Sequence, residues 1–189
     1  MTVVSVVIAL LVLAALGLVI SYNRFVRQRN VIQESWQQID VELRRRYDLI
    51  PNLVQTVKGY AAHERDVLQN VVAARASASA PSESIAAQAA DESALNRSLR
   101  QLFAVAENYP NLKADQQFLA LQSQLGETED RIAAGRRFYN GNVRAYNTRV
   151  ETFPSSLVAS VMSFEKAEYF EVDEPEARAP VQVDFGERA

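Results

Sequence analysis

The sequence predicts an all-helical protein in which an N-terminal transmembrane helix carries an up-and-down antiparallel four-helix bundle. Three observations support this prediction. The first is an apolar run at the N-terminus. The second is a series of long amphipathic segments with few breakers, because the 189 residues include only six glycines and six prolines. The third is a composition rich in Ala, Leu, Val, Arg, Glu and Gln, which favours helices over sheets.

The apolar run at residues 3–20 reads VVSVVIALLVLAALGLVI and predicts a membrane-spanning helix. Eighteen helical residues extend about 27 Å, which is enough to cross the hydrocarbon core of a bilayer. A cleaved signal peptide normally begins with basic residues, whereas this chain begins with MTVV. We therefore predict a retained anchor over residues 1–23.

The charges beside the anchor predict its orientation. No basic residue precedes the span, whereas Arg24, Arg27 and Arg29 follow it. Basic residues next to a span are retained on the cytoplasmic side, so we expect a single-pass protein whose soluble domain is cytoplasmic. The alternative places that domain on the periplasmic or extracellular side of the membrane.

The second predicted unit, residues 24–163, begins with two helices. Apolar residues recur at steps of three to five from Val31 to Tyr47, which predicts an amphipathic helix. Proline lacks a backbone donor and clashes with the preceding turn of a helix. We therefore predict that the chain turns at Pro51 and that Asp48 caps the helix that follows.

The middle of this unit is predicted to contain a turn and a third helix. Residues 73–93 are rich in Ala and Ser around Pro81 and offer few large side chains to bury, which favours a turn with frayed helix ends. The next apolar segment starts at Leu95 and ends near Pro110, where a second turn is expected. The alternative arrangement is one long hairpin with kinks at Pro51 and Pro110.

The fourth helix has the clearest pattern. From Phe118 to Val150 its mostly apolar contact positions recur at steps of three or four, which is typical of the contact line of a helical bundle or coiled coil. Gly135 falls on this line and would allow a neighbouring helix to approach closely. Inward tyrosines, beside asparagines that satisfy neighbouring polar groups, are predicted at Tyr139-Asn140 and Tyr146-Asn147.

Charge is distributed unevenly along the chain. Residues 24–163 carry 17 basic and 15 acidic side chains, and such a nearly neutral unit lacks the clustered positive charge that nucleic-acid binding needs. Residues 164–189 carry three basic and eight acidic side chains. We therefore predict a flexible acidic tail over residues 164–189 and no nucleic-acid partner.

Four stretches of the sequence resemble the LemA family of bacterial proteins. They read YNRFVRQRN from Tyr22, RRRYDLIPNLVQTVKGYAAHE from Arg44, AENYPNLKADQQFLALQ from Ala106 and ETEDRIAAGRRFYNGNVRAYNTRVETFPSSLVA from Glu127. The resemblance extends to Phe170 and implies a membrane-anchored up-and-down four-helix bundle of the bacterial inner membrane. It implies no accepted catalytic activity, and the family's associations with membrane zinc peptidases suggest one class of protein partner.

The residues offer no catalytic or metal-binding set. His63-Glu64 looks like the start of a zinc-peptidase motif, but that motif requires a second histidine where this chain has Val67. With one histidine and no cysteine, the chain lacks the ligands of common zinc and di-iron sites. We therefore predict a protein that is not an enzyme and uses no cofactor and no metal.

A set of charged residues, several of them near the two predicted proline turns, is the candidate partner-docking surface. Three consecutive arginines cover most of a helix circumference, so some of these charges must lie against the domain rather than in solvent. Internal ion pairs are therefore the alternative role for this set. The candidate docking residues are Arg44, Arg45, Arg46, Asp48, Lys58, Lys113, Arg136 and Arg137.

The predicted function is that of a membrane-anchored scaffold or adaptor, without catalysis, that organises protein partners at the inner membrane. The partner is an unidentified protein, and both a membrane zinc peptidase and a second copy of this chain are left open. The alternative is a small-anion binder, or an enzyme acting on an anion, at the arginine-rich corner. That alternative requires a concave pocket that joins residues 44–46 to Asn or Tyr side chains of the last helix.

Overall fold

The computed structural model describes residues 2–172, and this part of the chain forms six helices. No strand occurs among residues 2–172, in agreement with the predicted all-helical class. The predicted acidic tail lies outside the described residues from position 173 onward. The helices are α1 (Thr2–Tyr60), α2 (Arg65–Ser79), α3 (Ile85–Ala106), α4 (Pro110–Lys113), α5 (Gln116–Glu151) and α6 (Ser155–Val161).

The first helix is continuous from the apolar run into the domain. The prediction of a turn at Pro51 is wrong, because α1 passes through this proline and ends at Tyr60. Around it, Ile50, Leu53 and Val57 are fully buried. Burial contributes about 1.5–3 kcal/mol for each such side chain, which together exceeds the roughly 3 kcal/mol that a proline costs inside a helix.

Residues 3–20 form the N-terminal part of α1, and their large apolar side chains are exposed along its whole length. This part has a mean hydropathy of 3.2 and is long enough to cross a membrane. A helix that is apolar on all sides suits lipid better than water. The apolar helix therefore indicates a membrane-associated protein, while the single span and the side on which the domain lies stay predictions.

The longest contact of the domain runs between α1 and α5, which lie antiparallel. Near the apolar end, the rings of Phe25 and Tyr146 have centroids 5.9 Å apart. At the far end, the Tyr60 hydroxyl donates a hydrogen bond to Asp115, which caps α5 (2.9 Å). The predicted contact line of α5 is confirmed, since its buried residues are Phe118, Leu121, Leu125, Thr128, Ile132, Tyr139, Val143, Tyr146 and Asn147.

Helices α2 and α3 pack against each other, and α2 also packs against α1. The prediction of frayed helix ends over residues 73–93 is wrong, because α2 continues to Ser79 and α3 begins at Ile85 after a short turn that contains Pro81. Ser84 caps α3 through its side-chain oxygen. Small side chains allow close approach of two helices, so both helix ends are ordered although only a few residues of the segment are buried. Its buried members are Ala78, Gln88, Ala89, Glu92 and Ser93.

The predicted turn at Pro110 is confirmed. Helix α3 ends at Ala106, and Pro110 is the first residue of the short helix α4. Asp115 then caps α5 by accepting a hydrogen bond from the backbone amide of Phe118 (2.9 Å). This backbone hydrogen bond, together with the one from the Tyr60 hydroxyl, lowers the pKa of Asp115.

After α6 the chain forms an extended segment, residues 163–172, that lies against α1 and α5. Phe164 and Phe170 are buried, and the Phe164 ring stacks on Phe25 with centroids 4.7 Å apart. This part of the chain was predicted to belong to the flexible tail, and the structure instead packs residues 164–172 into the domain. The physical reason is that α2 and α3 are shorter than α5 and leave the apolar side of α1 and α5 open at this level.

Gly135 brings α1 and α5 close together, as its position on the contact line predicts. A Cβ atom at Gly135 would lie 3.0 Å from Cγ1 of Ile39.

We expect Gly135→Leu to destabilise the domain by about 1–3 kcal/mol, because the larger side chain forces the helices apart. Gly126→Ala, where nothing lies within 4 Å of the new Cβ atom, should stabilise α5 by up to about 1 kcal/mol. Urea denaturation followed by circular dichroism measures both, and stabilisation by both changes would contradict the close approach.

Candidate functional site

Of the three consecutive arginines, Arg46 lies in the core with 1% of its side chain exposed. Its guanidinium forms ion pairs with Glu92 of α3 and Glu129 of α5, and it donates a hydrogen bond to Oδ1 of Asn96 (2.8 Å). A charge buried in this way is tolerated only when it is paired, because burial removes its hydration. Arg46 therefore joins α1, α3 and α5 through one polar cluster.

Tyr47 extends this cluster. Its hydroxyl donates a hydrogen bond to Oε1 of Glu92, which also accepts one from the Gln88 amide (3.0 Å). The backbone carbonyl of Tyr47 accepts a hydrogen bond from Nε of Arg75 (2.7 Å). Burial raises the pKa of Tyr47 to about 12, although the charge of Arg46 opposes this shift. The Arg46 cluster consists of Arg46, Tyr47, Gln88, Glu92, Asn96 and Glu129.

The ion-paired centre of the Arg46 cluster, where the guanidinium meets Glu92 and Glu129, is closed to ligands. The free space beside Arg46, Glu92 and Glu129 amounts to about 20 Å³, which is enough for a single water molecule. Both carboxylates are already bound by the guanidinium. The arrangement holds three helices together and leaves no room for a substrate, an anion or a cofactor at the guanidinium itself, whereas Asn96 and Glu129 also border an open surface cleft of about 380 Å³.

The other candidate docking residues do not form one surface. Arg44 is exposed and pairs with Asp40 (2.7 Å), and Lys113 is exposed and pairs with Glu107 (2.6 Å). Lys58 lies about 21 Å from Arg44 along α1, given the rise of an α-helix. The remaining members are Arg45, Asp48 and Arg137, which are exposed, and Arg136, which is half-buried. Asp48 lies within α1, so its prediction as a helix cap is wrong.

An open cleft of about 810 Å³ lies between α1 and the turn that joins α2 to α3, and we call it the α2–α3 cleft. It does not match the predicted anion pocket, because no residue of α5 lines it and Arg46 is buried elsewhere. Its acidic side chains outnumber its basic ones, which disfavours a small anion. The charged residues that line it are Arg44, Arg75, Asp40, Asp48 and Glu83.

His63 is exposed in the loop between α1 and α2. Among residues 2–172, no group of three or more His, Cys, Asp and Glu side chains is placed to hold a metal ion. The structure therefore offers His63 no ligand set to join.

Two asparagines of α5 hold the extended segment in place. Nδ2 of Asn140 donates to the backbone carbonyl of Phe170 (3.1 Å), and its Oδ1 accepts from the amide of the same residue (2.9 Å). Asn147 makes the same pair of hydrogen bonds with Ala167 (2.9 and 2.8 Å). The predicted role of both asparagines is thus confirmed, and Tyr139 and Tyr146 are buried as expected.

The sequence reasoning missed the partner of these asparagines, which is the extended segment itself. The available signal is the spacing of Phe164, Ala167 and Phe170, which places an apolar residue at every third position of an otherwise acidic stretch. A flexible tail has no reason to carry such a pattern. Net charge alone was therefore a misleading guide to where the packed chain ends.

The buried tyrosines are expected to make the free energy of unfolding decrease at alkaline pH. Burial raises the pKa of both Tyr47 and Tyr139 to about 12, above the ordinary value of 10.0. The neutral hydroxyls thus stabilise the fold fully below pH 10, and this contribution is lost as the pH rises from about 10 to 12. We expect the free energy of unfolding to fall over that range, and to fall less steeply in Tyr47→Phe. Urea unfolding at a series of pH values measures this, with the exposed Tyr169→Phe as control. Equal slopes for wild type and Tyr47→Phe would contradict it.

The chain matches one protein family and is similar to several named bacterial proteins. The LemA family model matches residues 35–185. Similar proteins include the magnetosome protein MamQ 2 of Paramagnetospirillum magneticum, which is 26% identical over 189 residues, covering 87% of this chain and 69% of that protein. The magnetosome protein MamQ of Magnetospirillum gryphiswaldense is 24% identical with the same coverage. Protein LemA of Metamycoplasma hominis is 26% identical over 165 residues, covering 87% of this chain and 74% of that protein. None of these three names states an enzymatic activity.

Proposed function

Because the chain belongs to the LemA family, we propose that it is a membrane-anchored, non-catalytic scaffold whose helical domain docks protein partners at the inner membrane. In this proposal, α1, α2, α3 and α5 form an up-and-down four-helix bundle, and α1 holds the bundle on the cytoplasmic side. The observation that carries the proposal is the continuity of α1, which runs unbroken from the apolar residues 3–20 to Tyr60.

A continuous helix holds the domain at a set distance and orientation from the bilayer, which a flexible linker does not do. The domain therefore presents the same surface to every neighbour in the membrane plane. Its interior polar groups bind one another, as in the Arg46 cluster, so recognition uses the outer surface. These two properties support a docking role over a catalytic one.

The α2–α3 cleft is the surface best suited to a protein partner. It combines charged side chains of both signs with the apolar side chains of Trp36 and Ile85, and aromatic residues beside polar ones are typical of protein–protein interfaces. Two of the candidate docking residues, Arg44 and Asp48, line it. The partner class is a segment of another membrane protein, for which a zinc peptidase and a second copy of this chain are the two options to test.

Photo-crosslinking in intact cells tests this proposal. A photoreactive amino acid replaces Arg44 in the full-length chain, and Lys58, on the same helix but remote from the cleft, is the matched control position. We expect one reproducible protein adduct from position 44 and none from position 58, with identification by mass spectrometry. An adduct of the chain with itself identifies a homo-oligomer. Absence of any adduct from position 44, together with a monomeric mass in detergent, would overturn the proposal.

The membrane anchor is tested separately. Deletion of residues 3–20 is expected to move the protein from the membrane fraction to the soluble fraction, because this stretch supplies the apolar surface that lipid covers. A reporter enzyme fused after Ala189 then shows on which side of the membrane the domain lies. Recovery of the deletion variant with membranes that have been washed at high salt would contradict the anchor.

A further inference from the structure

The short helix α6 presents apolar side chains to its surroundings. Val158 and Ala159 are buried against Phe25, so one side of α6 is packed on α1. Leu157 and Val161, one helical turn apart and therefore on one face, are 59% and 77% exposed. The flanking residues Phe153 and Met162 are 75% and 51% exposed. A cluster of exposed apolar residues of this kind marks a contact surface, and we call it the α6 apolar patch.

The position of α6 relates this patch to the bilayer. A cleft of about 730 Å³ is lined both by Gly17 and Leu18 of the apolar run and by Leu157 of α6. The same cleft reaches Ala14, which lies about 9 Å along the helix from Ile20, the last residue of the run. Helix α6 is thus level with the final turns of the stretch that crosses the membrane. With residues 3–20 crossing the bilayer as in the proposed function, the surroundings at this level are lipid headgroups and the first part of the acyl chains.

Two arginines line the same cleft. Arg24 is exposed and Arg149 is half-buried. Both line the cleft, and the pKa of Arg149 is lowered mainly by burial and further by the charge of Arg24. Arg149 lies over the ring of Phe25, with its Cζ atom 5.9 Å from the ring centroid. Two neighbouring cations repel each other unless an anion lies between them.

No acidic side chain within residues 2–172 forms an ion pair with either arginine, and Nε of Arg149 is buried without a hydrogen-bond partner there. The acidic residue closest to Arg149 in sequence, Glu151, is paired with Lys166. A half-buried guanidinium that has no carboxylate partner within residues 2–172, beside a second one, fits a phosphate group, which accepts several charge-assisted hydrogen bonds.

We propose that α6 is an interfacial helix that lies in the headgroup layer of the bilayer crossed by α1, and that Arg24 and Arg149 hold the phosphate of an anionic phospholipid. The choice of lipid over a protein follows from the continuity of the cleft with the apolar run, whose surroundings are lipid. Exposed apolar side chains beside basic residues favour the boundary between headgroups and acyl chains; here α6 supplies the apolar side chains, and α1 and α5 supply Arg24 and Arg149. The inference rests on the membrane anchor of the proposed function and adds a second, lipid-selective contact.

Spin labels test the depth of α6. The chain contains no cysteine, so single cysteines at Leu157, Leu11 and Val41 can each be labelled in the full-length protein in lipid nanodiscs. Oxygen and nickel accessibility report how far each label lies in lipid. We expect the label at Leu157 to lie in lipid like that at Leu11, and the label at Val41, on an exposed site of α1 in the domain, to lie in water. A water-exposed Leu157 with a lipid-exposed Leu11 overturns this inference alone, whereas a water-exposed Leu11 overturns the anchor itself.

Lipid selectivity tests the two arginines. Native mass spectrometry of the full-length protein in mixed micelles compares retained phosphatidylglycerol with phosphatidylcholine. We expect the wild-type protein to prefer phosphatidylglycerol. In Arg24→Gln/Arg149→Gln this preference should fall about fivefold for each arginine removed, because that factor is the usual contribution of one basic residue near an anionic surface. The matched control is Arg97→Gln/Arg100→Gln, whose exposed arginines lie on α3 outside this cleft.

A further variant separates charge from fold. Arg24→Lys/Arg149→Lys keeps both positive charges and should retain most of the preference, with circular dichroism confirming that all variants are folded. An equal lipid preference in wild type and in the glutamine variant overturns the proposal. A preference that is absent in the full-length protein and appears only after deletion of residues 173–189 also overturns it. In that case the acidic end of the chain would be the occupant of the cleft.

Discussion

Replacement of Arg46 by alanine is expected to lower the free energy of unfolding by about 3–5 kcal/mol, the usual cost of breaking a buried ion pair on one side. The change leaves Glu92, which is also 1% exposed, as a buried charge without its partner. Arg45→Ala, at the exposed neighbouring position, should change the same quantity by less than about 0.5 kcal/mol. Denaturant unfolding of the detergent-solubilised protein, followed by circular dichroism, measures both. Similar small effects of the two variants would contradict the structural role of Arg46.

A combined variant separates this structural role from ligand binding. Arg46→Met with Glu92→Leu replaces the buried ion pair by apolar side chains of similar size, an exchange that is often neutral or stabilising, and it leaves Tyr47, which lines the α2–α3 cleft, unchanged. We expect it to restore the stability lost in Arg46→Ala and to leave the crosslink from position 44 unchanged. Loss of that crosslink in a fully stable variant would show that the cluster takes part in partner binding.

Replacement of Phe170 by alanine is expected to lower the free energy of unfolding by about 3–5 kcal/mol, because it leaves a large cavity in the core. The side chain is fully buried, and its ring packs edge-on against Trp36 with centroids 5.1 Å apart. Tyr169→Ala removes the adjacent aromatic ring, which is exposed, and should have a much smaller effect. Unfolding curves and limited proteolysis between residues 163 and 172 measure both. Equal effects would show that the extended segment is not part of the folded unit.

The extended segment completes the half of the domain that is nearest the apolar run. Helices α2 and α3 pack at the far half, where Tyr60 and Asp115 also join α1 to α5. At the near half, the buried aromatic side chains of α1 and α5 are covered by Phe164 and Phe170 instead of by further helices. A variant that loosens this segment should therefore loosen the region next to the apolar run first, where α6 and Arg149 also lie.

Several features could be predicted because they depend on short stretches of chain. The apolar run needs only its own eighteen residues to define a membrane-spanning length. The contact line of α5 is a strictly local repeat, so Phe118 to Tyr146 and the close approach at Gly135 followed from spacing alone. Pro110 begins a helix after a break, which agrees with the preference of proline for the first turn.

The residue-level roles of the candidate site depended on contacts between distant parts of the chain. Arg44, Arg45 and Arg46 are adjacent in sequence, yet only Arg46 faces Glu92 and Glu129, which lie 46 and 83 positions further on. The steps of three and four from Leu43 to Ile50 are compatible with an inward Arg46, but they do not reveal the distant carboxylates that make its burial possible. The same limit applies to the asparagines of α5, whose predicted role was right but whose partners could not be named.

The sequence by itself determined the helical class, the apolar N-terminal helix and the contact line of α5, since each follows from residue type and period over one stretch. Only the tertiary structure decided that α1 passes through Pro51, that Arg46 is buried and that residues 164–172 are packed. In each of these cases a local preference, for a turn, for solvent or for disorder, is outweighed by burial against residues far away in the chain. The free energy of that burial belongs to pairs of segments, and a single segment does not reveal it.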